Sequence, residues 1–332
     1  MTGAARLFLT MGLVLFLGVL ASQGLPAILA TLSVAGWGLV LVALFHVLPL
    51  IVDSLAIRVL FPRGAGAGTL RDAVFARWVG ESANSLMPAG QIGGPVLMAR
   101  HLSRRGMPLH DASAAITVST TMQTFSQIAF AVVGVILLAA RTTHFSDRAL
   151  VTSSLIASAA LGVQVAGFFF MQRRGLFGKL TRVAHRFARG KDWSVWLEHA
   201  ESIDSAVRGT YERGGSVLAS FLLNLVGWLV GTGEVFLILK LVGHETSWVD
   251  SLLLESLGQA IRGAAFAIPG ALGVQEGGYL LLAPIAGLPP ETALALSLAK
   301  RAREILLGVP GLLYLHFRER AGVIAARAAH RI

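Results

Sequence analysis

Six apolar runs, at 7–22, 27–51, 112–140, 149–171, 216–241 and 291–317, set the terms for any fold this chain can adopt. Each approaches or exceeds the roughly 20 residues a helix needs to cross the hydrocarbon core of a bilayer, and all are too long for core helices of a soluble domain. Composition agrees: 55% of the 332 residues are hydrophobic and 14% charged, where a soluble domain carries about a quarter charged residues. Mean hydropathy is +0.69. The chain contains no cysteine, which removes disulfides, thiolate nucleophiles and cysteine metal sites. The fold class expected is an all-α polytopic membrane protein.

The first run follows Arg6 and ends at "ASQG", as a signal peptide would. It is read here as an uncleaved anchor, because the topology needs it as a partner for the fourth crossing. Basic residues gather in four places: Arg58, Arg63, Arg71 and Arg77; Arg100, Arg104 and Arg105; Arg173 through Arg213; and the tail with Arg318, Arg320, Arg327 and Arg331. The connections at 23–26, 141–148, 243–250 and 286–291 hold little positive charge. Cytoplasmic loops carry the excess of Lys and Arg, so both termini are expected inside, with six crossings.

Two segments are left over. "ESANSLMPAGQIGGPVLMAR" lies in 78–100 with basic flanks on both sides, and 251–285 has none at either end. Each must return to the side it entered from, so both are expected to be re-entrant helical hairpins. Pro88, Gly90, Gly93 and Gly94 make the bend of the first; Pro269, Gly270, Gly273 and Gly277 make that of the second. Irregular backbone at membrane depth survives only when buried in protein or facing a wet cavity.

The halves also match in spacing. Pro88 and Pro269 are 181 residues apart, as are Asp53 and Glu234, and the last runs of the halves begin near 110 and 291. The expected domain organisation is one membrane domain over 1–332. Repeat one spans 1–140, repeat two 149–317, and a basic cytoplasmic connection 172–213. Inverted repeats with discontinuous helices handle substrate near the midplane, between the halves.

Ionisable groups at membrane depth are costly and mark a path or a site by default. Those at issue are Asp53, Glu81, Glu234, Glu255, Arg262, Glu276, Arg301, Arg303 and Glu304. The candidate substrate-binding set is Glu81, Asn84, Gln91, Arg262, Glu276, Arg301 and Glu304, all on or beside broken backbone. Asp53 and Glu234 stand near helix ends within reach of Arg58 and Lys240, so a packing role competes with a functional one. Arg301 falls about ten residues, roughly 15 Å, along its helix. A guanidinium at that depth suits either a lipid phosphate or the carboxylates of hairpin two.

Other patterns argue little. "GAGAG" at 64–68 follows "FPR" in a basic connection rather than a strand, so it reads as a linker and not as a phosphate loop. Residues 177–189 place Phe177, Leu180, Val183, Ala184 and Phe187 among basic residues at helical spacing, as an interfacial helix does. The nine histidines show no metal-ligand spacing, and no nucleophile elbow is present. No cofactor and no metal are expected. The net charge of +10 is spread over loops, without a soluble basic domain for nucleic acid.

"ESANSLMPAGQIGGPVLMARHL", "IPGALGVQEGGYLLL" and "RAREILLGVPGLLYL" together resemble the flippase-like family that includes the transmembrane domain of lysylphosphatidylglycerol synthases. The "PAGQIGG" form is most similar to its hopanoid-biosynthesis-associated branch, HpnL. The resemblance implies movement of a lipid, or a lipid-linked anionic group, across or out of the bacterial inner membrane. The positions it marks are Glu81, Asn84, Pro88, Gly90, Gly93 and Gly94, then Pro269, Gly273, Glu276, Gly277, Arg301 and Glu304. No soluble aminoacyl-transferring domain is expected. A transporter is favoured over an enzyme; the alternatives are an integral membrane enzyme acting on a lipid-linked substrate, or a scaffold for lipid-biosynthesis enzymes that works through 172–213. Membrane lipids are the expected partners, with nucleic acid excluded and the oligomeric state left open.

The charge asymmetry predicts that single cysteines at Ser103 and Thr246 label from opposite faces of the membrane, in a chain with no native cysteine. Labelling from the same face contradicts the opposed hairpins.

Overall fold

The computed structural model describes residues 33–64, 68–87, 90–141, 194–265 and 268–329, with positions 26, 30, 152, 166–167, 169–176 and 178–179 besides. The run at 7–22, Pro88, and nearly all of the expected interfacial helix at 177–189 lie outside the described residues. Only scattered positions of 149–171 are inside them. Nine α-helices are described here: α1 Gly38–Arg58, α2 Leu70–Leu86, α3 Gly90–Arg104, α4 Leu109–Arg141, α5 Ser194–Glu212, α6 Gly214–Leu241, α7 Trp248–Ala264, α8 Val274–Leu282 and α9 Pro290–Ala329. Short 3₁₀ turns, Pro269–Ala271 and Ala283–Ala286, flank α8. No strand occurs among the described residues.

Three helices, α1, α4 and α6, are long and apolar enough to cross a membrane. At 1.5 Å per residue the 21 residues of α1 reach about 32 Å, the thickness of a hydrocarbon core. The 40 residues of α9 are also long enough, but Lys300, Arg301, Arg303 and Glu304 interrupt its apolar run. Burial follows the inside-out logic of a membrane protein. Leu41, Leu44, Leu48 and Ile51 of α1 are exposed at helical spacing, as are Leu218, Leu222, Val226 and Leu229 of α6. Asp53 and Glu234 point the other way, between the helices.

α2 and α7 begin alike. Thr69 accepts from the Asp72 backbone N–H (3.2 Å) while the Thr69 N–H donates to the Asp72 carboxylate (2.9 Å). Ser247 and Asp250 repeat that reciprocal cap at 3.1 and 3.3 Å. It satisfies helix-end donors that would otherwise be unpaired. The two boxes are 247 − 69 = 178 residues apart, close to the offset seen between Asp53 and Glu234.

Packing is reciprocal in the same sense. α1 packs on α6; α2 packs on α9 as α7 packs on α4; α6 packs on α4 as α9 packs on α1. The helix pairs within each half correspond as well: α1 with α2 and α6 with α7, α2 with α3 and α7 with α8, α3 with α4 and α8 with α9. Exchanging α1–α4 for α6–α9 therefore returns the same set of contacts. α5 lies outside the exchange. It docks on α4, where Val207 and Tyr211 join a core with Ile57, Leu60, Met98 and Ile116.

The helical pairs begin earlier than the charge pattern alone implies, at Leu70 rather than 78 and at Trp248 rather than 251, because the caps set the start. Gly94 holds the first pair together. Its N–H donates to Asn84 Oδ1 at 2.9 Å, and a β-carbon there would sit 2.5 Å from that oxygen and 2.6 Å from the Gly80 carbonyl. Gly90 and Gly93 lie in the first turn of α3. In the second pair the bend uses positive φ at Gly270 (60°), Ala271 (49°) and Gly273 (76°), which glycine adopts without penalty. Gly277, one turn into α8, has open space where a β-carbon would lie. At the polar end of the first pair, Arg105 Nε donates to Asp72 at 2.8 Å. Burial pushes the Asp72 carboxyl up, but its bonds to Arg105 and Thr69 prevail and hold it below the ordinary carboxylate range.

Candidate functional site: a charged cavity between the halves

A cavity of about 400 Å³ opens where the two halves meet, lined by α1, α2, α3, α4, α6, α7 and α9. Its walls carry Asp53, Glu81, Glu234, Glu255 and Glu304 against Arg77, Arg262, Lys300 and Arg303, with His46 among them. Amides and hydroxyls from Asn84, Thr120, Gln123, Gln127 and Gln259 complete the polar lining.

These charges are wired to one another. Arg77 Nη2 donates to Asp53 at 2.7 Å, and its Nε lies 3.9 Å from Glu81. His46 stands between two carboxylates, with Nδ1 2.6 Å from Glu234 and Nε2 2.8 Å from Glu81. Arg303 reaches Glu234 at 3.3 Å, Glu81 at 3.4 Å and Glu304 at 3.7 Å. Arg262 meets Glu304 at 2.6 Å and donates to Gln275 at 2.8 Å. Lys300 closes a separate pair with Glu255, which also accepts from Gln259 at 2.9 Å. A buried charge persists only when paired, and apart from the Arg77–Glu81 and Arg303–Glu304 contacts each pair here joins two different helices.

The pairing is nevertheless incomplete. Arg77 Nε, Glu234 Oε1, Arg303 Nε and Glu304 Oε1 are buried without an aligned hydrogen bond among the described residues. Glu304 Oε1 shows the distinction: it is within ion-pair distance of Arg262, yet no N–H points at it. Buried polar atoms of this kind are rare in folded proteins. All four still lie within 3.9 Å of an opposite charge, so they mark ion pairs whose hydrogen bonding is incomplete.

Of the sequence-derived candidates, Glu81, Asn84, Arg262 and Glu304 line the cavity. Arg301 and Glu276 do not. Arg301 Nη1 donates to the Gly270 carbonyl at 2.5 Å and reaches Glu304 at 3.3 Å; its Nη2 donates to the Ala271 carbonyl at 3.3 Å; its Nε meets Glu276 at 3.1 Å. Glu276 is fully buried and accepts the Gly273 N–H at 2.7 Å and the Ser297 hydroxyl at 2.9 Å. Of the two destinations open to Arg301, it takes the carboxylate of the second helical pair, Glu276, and it clamps the positive-φ bend. The Gln91 side chain lies outside the described residues.

The partners named for Asp53 and Glu234 differ from those expected. Asp53 takes Arg77 rather than Arg58, and Glu234 takes His46 and Arg303 rather than Lys240. Arg58 and Lys240 instead lie over Phe61 and Phe236. His46, Arg77 and Lys300 escaped the sequence reading. A charged residue seven positions into a capped helix was the available signal for Arg77.

A helical membrane protein with its charges gathered around an interior cavity is the class these features define. The chain belongs to the family described as the lysylphosphatidylglycerol synthase TM region, whose model matches residues 4–311. Membership makes it a membrane protein linked to lipid metabolism. No curated protein and no solved structure matches it.

Arg301→Met is expected to destabilise the protein by about 3–5 kcal/mol, the cost of breaking a buried pair from one side, read as a lower melting point in detergent. Adding Glu276→Gln is expected to recover only part of that, because the Gly270 and Ala271 carbonyls stay unpaired. Full recovery would reduce Arg301 to a simple ion pair.

Proposed function

We propose that the protein moves a lipid or lipid-linked anionic group, hopanoid-related in keeping with the motif likeness, across or out of the bacterial inner membrane. The observation that carries this is the interior cavity of under-paired charges, set behind helix faces that are apolar at lipid-facing spacing. A headgroup can shed water into such a cavity while its tails stay in hydrocarbon.

On this reading the chain crosses six times and carries two opposed hairpins, with both termini in the cytoplasm. The exchange symmetry of the packing and the paired capping boxes support an inverted repeat, and the loop charges orient it. The guanidinium groups of Arg262, Arg77 and Arg303 bind the anion by releasing a carboxylate, and a planar fork suits phosphate. Glu81 and Glu304 hold those bases in register, and Asn84 ties the cavity wall to the bend of hairpin one. Arg301 and Glu276 support hairpin two. Transport is favoured over catalysis because the cavity's ion pairs tie helices of both halves together, and contacts of that kind are what alternating access breaks and remakes.

The test is reconstitution into vesicles of phosphatidylethanolamine and phosphatidylglycerol with a headgroup-accessible fluorescent phosphatidylglycerol, its leaflet followed by a membrane-impermeant quencher. The wild type is expected to equilibrate the probe faster than empty vesicles. Glu304→Gln is expected to slow it at least about tenfold, since a few kcal/mol of pairing is lost from both Arg262 and Arg303. Leu44→Ala, on the outer face of α1, is expected to leave the rate unchanged. A wild type no faster than empty vesicles contradicts the proposal.

A further inference from the structure

His46 occupies a position that the translocation reading does not use. Among the described residues it is the sole histidine lining the cavity, on α1. Glu81 and Arg77 face it from α2, Glu234 from α6, and Arg303, with Glu304 and Lys300 beyond, from α9. Asp53 lies two turns along its own helix, and Glu255 and Arg262 close the far wall on α7.

The geometry counts protons. Nδ1 is 2.6 Å from one carboxylate and Nε2 2.8 Å from another. An imidazole nitrogen meets a carboxyl oxygen that closely through one shared proton, and with both glutamates ionised each of those protons belongs to the ring, whereas a neutral ring has one N–H. Both contacts are satisfied when the ring carries two. Arg303 Nη1 is 2.9 and 2.7 Å from the two ring nitrogens. A point so near both lies off the ring plane, so it takes neither of the in-plane positions that face Glu81 and Glu234. Across the whole network there are six carboxylates (Asp53, Glu81, Glu234, Glu255, Glu276, Glu304) and five permanent cations (Arg77, Arg262, Lys300, Arg301, Arg303). A doubly protonated His46 is the sixth positive charge and brings the buried network to neutrality, which a low-dielectric site strongly favours. Loss of that proton removes one donor from the α1–α2 or the α1–α6 junction, two walls of the cavity. The Arg303 guanidinium beside the ring opposes the charge that Glu81 and Glu234 favour.

We propose that His46 is a proton-binding site that couples opening of the cavity, and hence lipid movement, to a transmembrane proton gradient. The inference rests on the lipid-translocation reading for its coupling, though not for the proton site itself. The proton enters from one aqueous side onto the imidazole and leaves to the other as the junction opens, with no other reactant.

Two measurements separate the claims. In nanodiscs, ¹⁵N-histidine NMR of the wild type is expected to show, at neutral pH, one imidazole with both nitrogens protonated, absent in His46→Gln and kept in His110→Gln, an exposed histidine outside the cavity. A neutral ring at that position overturns the proton site, and the spectrum of the wild type decides this even if His46→Gln does not fold. In the same vesicles, clamped at zero membrane potential, a gradient of about one pH unit is expected to shift the steady-state leaflet ratio of the fluorescent phosphatidylglycerol by up to about tenfold for one proton per lipid. A trapped pH dye should report matching proton flux, and both effects should vanish in His46→Gln. Lipid movement that ignores the gradient, without proton flux, overturns the coupling and leaves translocation standing. No lipid movement by any form overturns translocation and the coupling with it, and the NMR result then stands alone for the proton site.

Discussion

Charge that cannot reach water must find charge of the other sign, and this single requirement organises the structure. Each half of the chain contributes carboxylates and bases, and most pairs run between helices, some of them between halves: His46 of α1 with Glu234 of α6, and Arg303 of α9 with Glu81 of α2. Replacing a complete buried pair by apolar groups is often neutral or stabilising, whereas breaking one from a single side is expensive. A network of this size is therefore poorly explained as glue. On the proposed reading it is a surface held ready for something polar, with its own members as placeholders.

The bend of the second helical pair depends on the same rule in another form. Gly270, Ala271 and Gly273 turn the chain at positive φ, leaving carbonyls and amides without helical partners. Arg301 and Glu276 supply those partners from within the fold. The result places α8 against α9 and keeps Glu304, one turn beyond Arg301, at the cavity wall. Irregular backbone and interior charge thus require each other: each satisfies groups that lipid could not.

Much of this was legible in the sequence, for physical reasons that also explain what was not. Run length and hydropathy gave the helical class, and prolines and glycines with polar neighbours gave the bends. An offset close to the one linking Asp53 to Glu234 relates the matched caps Thr69–Asp72 and Ser247–Asp250, and the packing shows the corresponding exchange symmetry. Membership of the family confirmed the broad resemblance. Glu81, Asn84, Arg262 and Glu304 line a shared polar interior, and polar groups on broken backbone, which have few other uses, are the signal that points to them. His46 was missed because one histidine in an apolar run carries no periodic or spacing signal; its meaning comes from carboxylates 35 and 188 residues away. Arg77 was read with the loop bases because nothing in the chain marks where α2 begins until the Thr69 cap is recognised. Arg301 was assigned to substrate because depth alone cannot tell a ligand-facing guanidinium from one folded back onto carbonyls.

The central claim is that the cavity receives a lipid headgroup. A photoreactive amino acid at Gln123, on the cavity wall, compared with one at Leu44, on the outer face of α1, tests it most directly. After irradiation in native membranes, mass spectrometry of the crosslinked peptides identifies which part of a lipid each position touched. The account predicts headgroup adducts at Gln123 and acyl-chain adducts at Leu44. Acyl-chain adducts alone at Leu44, with no lipid captured at Gln123, would contradict it.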